Sequence, residues 1–275
     1  MERRRISWFV MGLLALALLL QPAAAGAQAP QRGVYLALGD SLAYGVGATD
    51  PARLGYVPRL FEFFHGTAHA GVDTLVNKSV SGETSTSLIN GGQLAAAIAE
   101  INMATDIRVV TLDIGGNDLL ALLAPGSPCL QDPNGPTCQQ ALATALATFA
   151  SNYASILTQL TAALANDPGD EKIIIMTYYN HLSGTGSPFE PVLDAALLGT
   201  DRTINCATAP TTWGIDDIIT CLPRQLALPG VTVADVYPRF VGKGRTLTHV
   251  SEGGDFHPTN AGYAMIANAF MDASR

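Results

Sequence analysis

Charged residues are scarce in this chain of 275 residues: Asp, Glu, Lys and Arg together make up 14% of it, and only 15 residues are Lys or Arg. After Arg5 the basic residues form no cluster, and the formal net charge is −8. Nucleic acids and anionic membranes attract proteins through basic patches. The composition therefore argues against both as partners.

Motifs of cofactor-dependent and metal-dependent enzymes are also missing. The sequence has no Gly-Lys-Ser/Thr phosphate loop, and Gly45 and Gly47 lack the third glycine and the following helix of a dinucleotide fingerprint. The cysteines have no Cys-x-x-Cys spacing of the kind that binds zinc. We therefore expect no metal ion and no organic cofactor. The Gly-x-Ser-x-Gly elbow of the α/β-hydrolase fold is absent too, because Ala43 stands at its last glycine position.

Hydrophobic residues make up 48% of the chain, which is enough for a large core and excludes intrinsic disorder. Single domains reach roughly 250 residues, so we expect one domain over residues 28–275. Beyond the N-terminal segment no apolar run approaches the roughly 20 residues of a membrane-spanning helix. We therefore expect no stable membrane insertion once that segment is removed.

The N-terminal segment has the three parts of a secretory signal. Arg3–Arg5 are basic, Trp8–Leu20 is apolar, and small residues dominate Ala23–Ala29. We expect residues 1–27 to be a signal peptide, cleaved after Ala27 or Ala29, and the protein to be secreted or periplasmic. The alternative is an uncleaved anchor, for which the apolar part is short.

Four cysteines fit an exported protein. Cys129 is close in sequence to Cys138, and Cys206 to Cys221, and both pairs lie in segments rich in Gly, Pro and Thr. Four cysteines allow three connectivities. We favour the two local pairs, because each of them closes one irregular loop.

Short β-branched runs alternate with longer helical stretches along the chain. Several runs are apolar almost throughout, as in Ile173–Ile175, which indicates strands buried on both faces of a parallel sheet. The predicted strands are Val34–Leu38, Thr74–Asn77, Ile107–Asp113, Lys172–Thr177 and Val231–Val236. The predicted helices lie at about 55–65, 92–103 and 138–165, after Pro191, and from Pro258 to about Ala273. This alternation predicts an α/β fold, a three-layer α/β/α sandwich around about five parallel strands.

Two segments do not fit a minimal alternation of strands and helices: residues 119–138 and 181–229, each with one cysteine pair. Long connections in a compact domain are usually covers or binding loops. Ligands of parallel sheets lie beyond the carboxyl ends of the strands. We therefore expect the insertions to form rims or a lid, and the chemistry to follow the strands directly.

Polar blocks do follow the first three predicted strands, and a fourth block stands at the start of the last predicted helix. They read Gly39-Asp40-Ser41-Leu42, Ser81-Gly82-Glu83-Thr84, Gly115-Gly116-Asn117-Asp118 and Asp255-Phe256-His257-Pro258. Four such blocks in this order resemble the SGNH (GDSL) hydrolase family, and the resemblance extends from Leu38 to Tyr263. It implies a flavodoxin-like sandwich and a cofactor-free hydrolase of carboxylic esters, of the esterase or lipase type.

The resemblance also implies roles for single residues. Ser41 matches the nucleophile and His257 the general base that activates it. The backbone N–H groups of Ser41 and Gly82 and the side-chain amide of Asn117 match the three donors of the oxyanion hole. A glycine at position 82 suits such a role, because a residue without Cβ lets its backbone approach the reacting carbonyl.

The third member of the triad departs from the family pattern. The family usually has an Asp three residues before the His, where this chain has Gly254, and the acid Asp255 stands only two residues before His257. Either Asp255 reaches the imidazole through a local turn, or a carbonyl near Gly253 and Gly254 accepts its Nδ1–H. We favour Asp255.

Four polar residues also have structural interpretations. Ser41 alone would suit a helix cap, and only its three companion blocks favour catalysis. Asp40 is expected to cap the first helix, Asp118 to be a turn residue, and His249 to lie on the surface.

The sequence therefore predicts an exported serine hydrolase that cleaves a small-molecule or lipid ester through an acyl-enzyme. The apolar runs Leu119–Leu123 and Ala195–Leu198 favour an acyl chain over a sugar, although both also suit helix cores. A lipase, a lysophospholipase and a carbohydrate O-acetylesterase all fit the same machinery. A catalytically idle lipid- or glycan-binding protein is the alternative from another class, and the complete set of blocks argues against it.

Overall fold

The computed structural model describes residues 33–66, 71–104, 106–167 and 172–275. The expected signal peptide, residues 1–27, lies outside the described residues. Within the described ranges, none of the helices has both the length and the apolar character needed to cross a membrane.

Five parallel strands form one sheet in the order β2-β1-β3-β4-β5. The strands are β1 (Val34–Gly39), β2 (Thr74–Asn77), β3 (Ile107–Asp113), β4 (Lys172–Met176) and β5 (Val231–Ala234). All five predicted strands are confirmed, with small differences at three of their ends. Every residue of β1 is buried, because helices cover both faces of the sheet.

Helices form the two outer layers. They are α1 (Ser41–Tyr44), α2 (Pro51–Leu54), α3 (Tyr56–Gly66), α4 (Ser85–Asn90), α5 (Gln93–Met103), α6 (Gly116–Leu120), α7 (Pro128–Gln131), α8 (Pro136–Leu164), α9 (Glu190–Leu198), α10 (Ile215–Gln225), α11 (Tyr237–Phe240), α12 (Gly244–Leu247) and α13 (Asn260–Ala273). On one side α13 packs against α3, and on the other α8 packs against α5 and α10. The predicted three-layer α/β/α sandwich is confirmed.

Hydrogen bonds at the starts of α1 and α13 position the first and the last of the four polar blocks. The Asp40 carboxylate accepts the N–H of Leu42 at 2.9 Å and caps α1, as predicted. The Thr259 hydroxyl accepts the N–H of Gly262 at 3.3 Å and caps α13. Both caps fix the direction in which the chain enters the helix, and so they fix the residues just before it.

The segment 181–229 contains a helix that the sequence did not predict. Cys221 and Pro223 give this stretch the composition of a loop, yet α10 runs through both residues. Proline lacks the N–H of a helix interior. Burial of the apolar side chains of Ile215, Ile218 and Ile219 outweighs that loss.

Two disulfide bonds confirm the favoured local pairing of the cysteines. Cys129–Cys138 joins α7 to α8, and Cys206–Cys221 joins the connection after α9 to α10. All four cysteines are paired within the described ranges. Each bond therefore fixes an irregular part of one long insertion to a neighbouring helix.

We expect the double variant Cys206→Ala/Cys221→Ala to lose about 3 kcal/mol in its free energy of unfolding, because the unfolded chain regains the freedom of a loop of this length. Urea denaturation of the oxidised wild type and the variant measures the difference. A loss below about 1 kcal/mol would show that the loop is held by other contacts.

Candidate active site

The sheet order brings two polar blocks to the same place. Ser41 follows β1 and Asn117 follows β3, and these strands are neighbours in the sheet. The chain leaves β1 toward β2 on one side and leaves β3 toward β4 on the other. The crevice at such a switch point is where open α/β sheets bind ligands.

His257 reaches this crevice from the connection between α12 and α13. Its Nε2 lies 3.0 Å from Oγ of Ser41, 216 positions earlier in the chain. A bridge between Thr248 and Pro258 holds the connection, and the N–H of His249 donates to the carbonyl oxygen of His257 at 3.0 Å. Backbone contacts on both sides of His257 therefore fix its ring against the serine.

Asp255 contacts the other nitrogen of the same ring. Its Oδ1 lies 2.6 Å from Nδ1 of His257 and also accepts the backbone N–H of His257 at 3.0 Å. The sequence left two acceptors open for Nδ1–H, Asp255 and a carbonyl near Gly253 and Gly254. In the structure the Asp255 carboxylate lies at Nδ1. Partial burial acts to raise the pKa of Asp255, but the two hydrogen bonds and the nearby imidazole lower it below its usual range. The carboxylate is therefore ionised at neutral pH.

Gly82 and Asn117 complete the group of residues that the sequence singled out. Gly82 has φ +83°, a left-handed conformation that favours glycine, and an added Cβ there would meet open space. Nδ2 of Asn117 donates to the carbonyl oxygen of Glu83 at 2.8 Å, which holds the two blocks together. Within the part of the chain that the structure describes, the backbone N–H groups of Ser41 and Gly82 donate to no protein acceptor.

A cavity of about 340 Å³ opens beside Ser41 and Asn117. Its walls come from the segment between α6 and the start of α8 and from the segment between β4 and the end of α9. Both segments overlap the insertions that were expected to form rims. Leucines dominate the lining, and the Cys129–Cys138 disulfide is part of the wall.

Comparison with known families agrees with this geometry. The model of the GDSL-like lipase/acylhydrolase family matches residues 37–265. The chain belongs to this family. It is an ester hydrolase of the SGNH type, as the four sequence blocks predicted.

Solved structures of GDSL-family and related esterases share the fold. A lipase, Lip_vut3 from a goat rumen metagenome, is 20% identical with a TM-score of 0.58, over 87% of this chain and 96% of that one. Axe2, an acetylxylan esterase from Geobacillus stearothermophilus, is 16% identical with a TM-score of 0.59, over 89% and 95%. A putative GDSL-like lipase from Parabacteroides merdae is 16% identical with a TM-score of 0.56, over 89% and 97%. None of the curated proteins matches the chain significantly in sequence.

Beneath Ser41 this GDSL-like hydrolase has a pair of buried acids that the sequence did not reveal. Asp40 is 2% exposed and Asp113 is fully buried, and burial raises the pKa of both carboxyls. Their side chains are hydrogen-bonded to each other, and the charge of Asp40 raises the pKa of Asp113 further. The hydroxyl of Tyr56 donates to Asp113 Oδ1 at 2.5 Å. This bond acts to lower the pKa of Asp113, but burial and the neighbouring charge of Asp40 outweigh it.

The end of β4 supplies further residues of the site. Tyr178 donates through its hydroxyl to Asp40 Oδ2 at 3.2 Å, and Tyr179 donates to the carbonyl oxygen of Phe256 at 3.0 Å. His181 lies on the cavity wall. Ligands of parallel sheets lie beyond the carboxyl ends of the strands. Applied to β4, this rule would have indicated these residues too.

Two minor predictions have different outcomes. The interpretation of Asp118 as a turn residue is wrong: it lies in α6, and its carboxylate accepts both the N–H and the hydroxyl of Ser85, at 2.8 and 2.6 Å. His249 is a half-buried link, with Nε2 at 2.9 Å from the carbonyl oxygen of Gly47. Within the described ranges no group of three or more His, Cys, Asp or Glu side chains converges on a metal-sized site.

The buried acid pair makes stability depend on pH. Because the pKa of Asp113 is raised in the folded state, its contribution is complete below the unfolded pKa of about 4 and is lost as pH rises. We expect Asp113→Asn, which keeps a neutral side chain and the bond from Tyr56, to unfold with a weaker pH dependence between about pH 5 and pH 8, by up to about 1.4 kcal/mol per pH unit.

Urea denaturation at several pH values measures this difference. Asp201→Asn, at an exposed acid in the connection after α9, is the matched control. Parallel curves for wild type and Asp113→Asn would mean that Asp113 is ionised in the folded protein.

Proposed function

We propose that this protein is an exported serine hydrolase that cleaves carboxylic esters through an acyl-enzyme, with Ser41 as nucleophile, His257 as general base and Asp255 as the residue that orients the base. One observation carries the proposal. Ser41 Oγ, the two ring nitrogens of His257 and Asp255 Oδ1 form one continuous chain of hydrogen-bonding contacts, at 3.0 and 2.6 Å.

The contact between Ser41 and His257 supports the nucleophilic step. A hydroxyl is a weak nucleophile until a base takes its proton. Nε2 of His257 is within the distance that proton transfer requires. After the attack the same nitrogen delivers the proton to the leaving alcohol, and a water molecule then releases the acid by the reverse path.

The contact with Asp255 supports this assignment of protons. The ionised carboxylate accepts Nδ1–H, which leaves the lone pair of Nε2 facing Ser41. It also stabilises the imidazolium that forms when the serine loses its proton. The second bond, from the His257 backbone N–H to the same oxygen, keeps the carboxylate in place.

Three donors surround the position of the developing oxyanion. The backbone N–H groups of Ser41 and Gly82 have no protein acceptor among the described residues and are available to it. Asn117 Nδ2 holds the Glu83 carbonyl tightly at 2.8 Å and Asp40 loosely at 3.3 Å. The oxyanion takes the place of the looser partner. Each such donor stabilises the transition state by about 3–4 kcal/mol.

Export is supported by the cysteines. Two disulfides stabilise the insertions around the site, and disulfides persist in oxidising compartments outside the cytosol. Together with the signal-like sequence of residues 1–27, they favour a secreted or periplasmic enzyme.

We expect Ser41→Ala to lose hydrolysis of p-nitrophenyl acetate and butyrate by at least about a thousandfold, because among the described residues no other hydroxyl lies against His257 Nε2. Ser151→Ala, at an exposed serine on α8, is the matched control and should keep the wild-type rate. Absence of turnover by the wild type would instead favour the alternative of an idle binding protein.

We expect Asp255→Ala to lower kcat by at least about tenfold with little change in KM, since it removes the group that orients the base and not a substrate contact. Steady-state kinetics with p-nitrophenyl butyrate test this, and Asp201→Ala serves as the control acid. A variant with the wild-type kcat would show that another acceptor orients His257.

A further inference from the structure

The cavity beside Ser41 is predominantly apolar, and leucines form the largest share of its wall. Leu119, Leu122 and Leu142 line it from the α6–α8 side, and Leu193, Ala196 and Leu197 line it from α9. Burial in such a lining favours each added methylene of a ligand by about fourfold in binding. A sugar would leave its hydroxyl groups without partners over most of this surface.

The one histidine on the cavity wall does not make it a charged site. Burial lowers the pKa of His181 to about 4, although the charge of Asp255 acts to raise it. The ring is neutral at physiological pH and lies against that of Phe256, with 6.0 Å between the ring centroids. The one acid among the described residues of the wall, Asp40, has its oxygens in hydrogen bonds with Leu42, Asn117 and Tyr178. The rest of the wall therefore accommodates an uncharged chain.

The positions of the catalytic groups determine which half of an ester enters the cavity. Ser41 and Asn117 line it, whereas His257 is not part of its wall, which on that side is formed by Phe256. In ester cleavage the leaving alcohol must receive its proton from the base. The alcohol therefore lies on the His257 side, outside the cavity, and the group bonded to the carbonyl carbon points into it.

We propose, on the basis of the function proposed above, that the cavity between α6–α8 and α9 binds the acyl chain of the substrate, and that the enzyme selects aliphatic acyl groups while leaving the alcohol half in solvent. At about 30 Å³ per heavy atom, a volume of about 340 Å³ holds about 11 atoms. The preferred acyl chain then has about eight to ten carbons.

Two isomeric esters test the orientation. Ethyl octanoate and octyl acetate have the same formula, and only the first carries its long chain on the acyl side. Below the solubility limit of both, with release of acid followed by titration, we expect kcat/KM for ethyl octanoate to be higher by at least about tenfold. Equal rates, or a preference for octyl acetate, would overturn the proposal.

A substitution inside the cavity tests its location. Ala196→Phe fills part of the cavity, whereas Ala195→Phe, one position earlier on α9, places the same ring on a residue that does not line it. We expect Ala196→Phe to lower the ratio of kcat/KM for p-nitrophenyl octanoate to that for p-nitrophenyl acetate by at least about tenfold. Ala195→Phe should keep the wild-type ratio.

Turnover of the acetate shows that the variant is folded and that the catalytic groups are in place. If Ala196→Phe hydrolyses neither substrate, its fold is damaged. The complementary variant Leu193→Ala then decides, since the proposal requires it to lower the octanoate-to-acetate ratio of kcat/KM. An unchanged ratio in either folded variant overturns the assignment of the cavity. Wild-type protein that hydrolyses acetate without any chain preference overturns this inference alone, whereas wild-type protein that hydrolyses no ester overturns the proposed function itself.

Discussion

The contact between Ser41 and His257 is the one on which the site depends, and it joins residues 216 positions apart. The loop after α1 and the segment around the start of α13 are bound to each other by four further hydrogen bonds. They are Tyr263 hydroxyl to Val46 carbonyl (2.5 Å), Thr49 N–H to Asn260 Oδ1 (3.0 Å), Asn260 Nδ2 to Thr49 hydroxyl (2.8 Å) and His249 Nε2 to Gly47 carbonyl (2.9 Å). Behind them α3 packs on α13, with the rings of Tyr56 and Phe270 stacked at 4.9 Å. The distance between hydroxyl and imidazole is therefore set by a packed interface and not by the two side chains alone.

A second constraint acts from below, through the carboxylate of Asp40. It caps the helix that begins with Ser41, and its other oxygen accepts hydrogen bonds from Asn117 and Tyr178. One buried group thus holds both Ser41 and Asn117, the proposed nucleophile and oxyanion donor. A lone buried charge is costly. Hydrogen bonds from the Leu42 N–H, the Asn117 amide and the Tyr178 hydroxyl satisfy this buried carboxylate in place of a counter-ion.

Much of this architecture follows from sequence pattern, because apolar strands and strand-end polar blocks are local signals. The five strands, the local disulfides and the cap at Asp40 depend on residues close in the chain. Asp113 and Asp118 were missed as partners because each contacts a group more than thirty positions away, in another element. The helix α10 was not predicted, because Pro223 argues against a helix. The burial that stabilises α10 depends on the layer it joins, which the local sequence does not show. The cavity depends on two insertions meeting across the crevice, which no local pattern encodes.

The insertions and the reacting groups belong to different stretches of chain. Ser41 begins the short helix after β1, and His257 and Asp255 lie on the connection before α13, while α7, the first turn of α8 and α9 enclose the cavity. Exchange of one insertion for another would alter which compounds fit without moving the reacting atoms. The substrate preference of such a fold can therefore change through the insertions alone, while the residues of the chemical step stay the same.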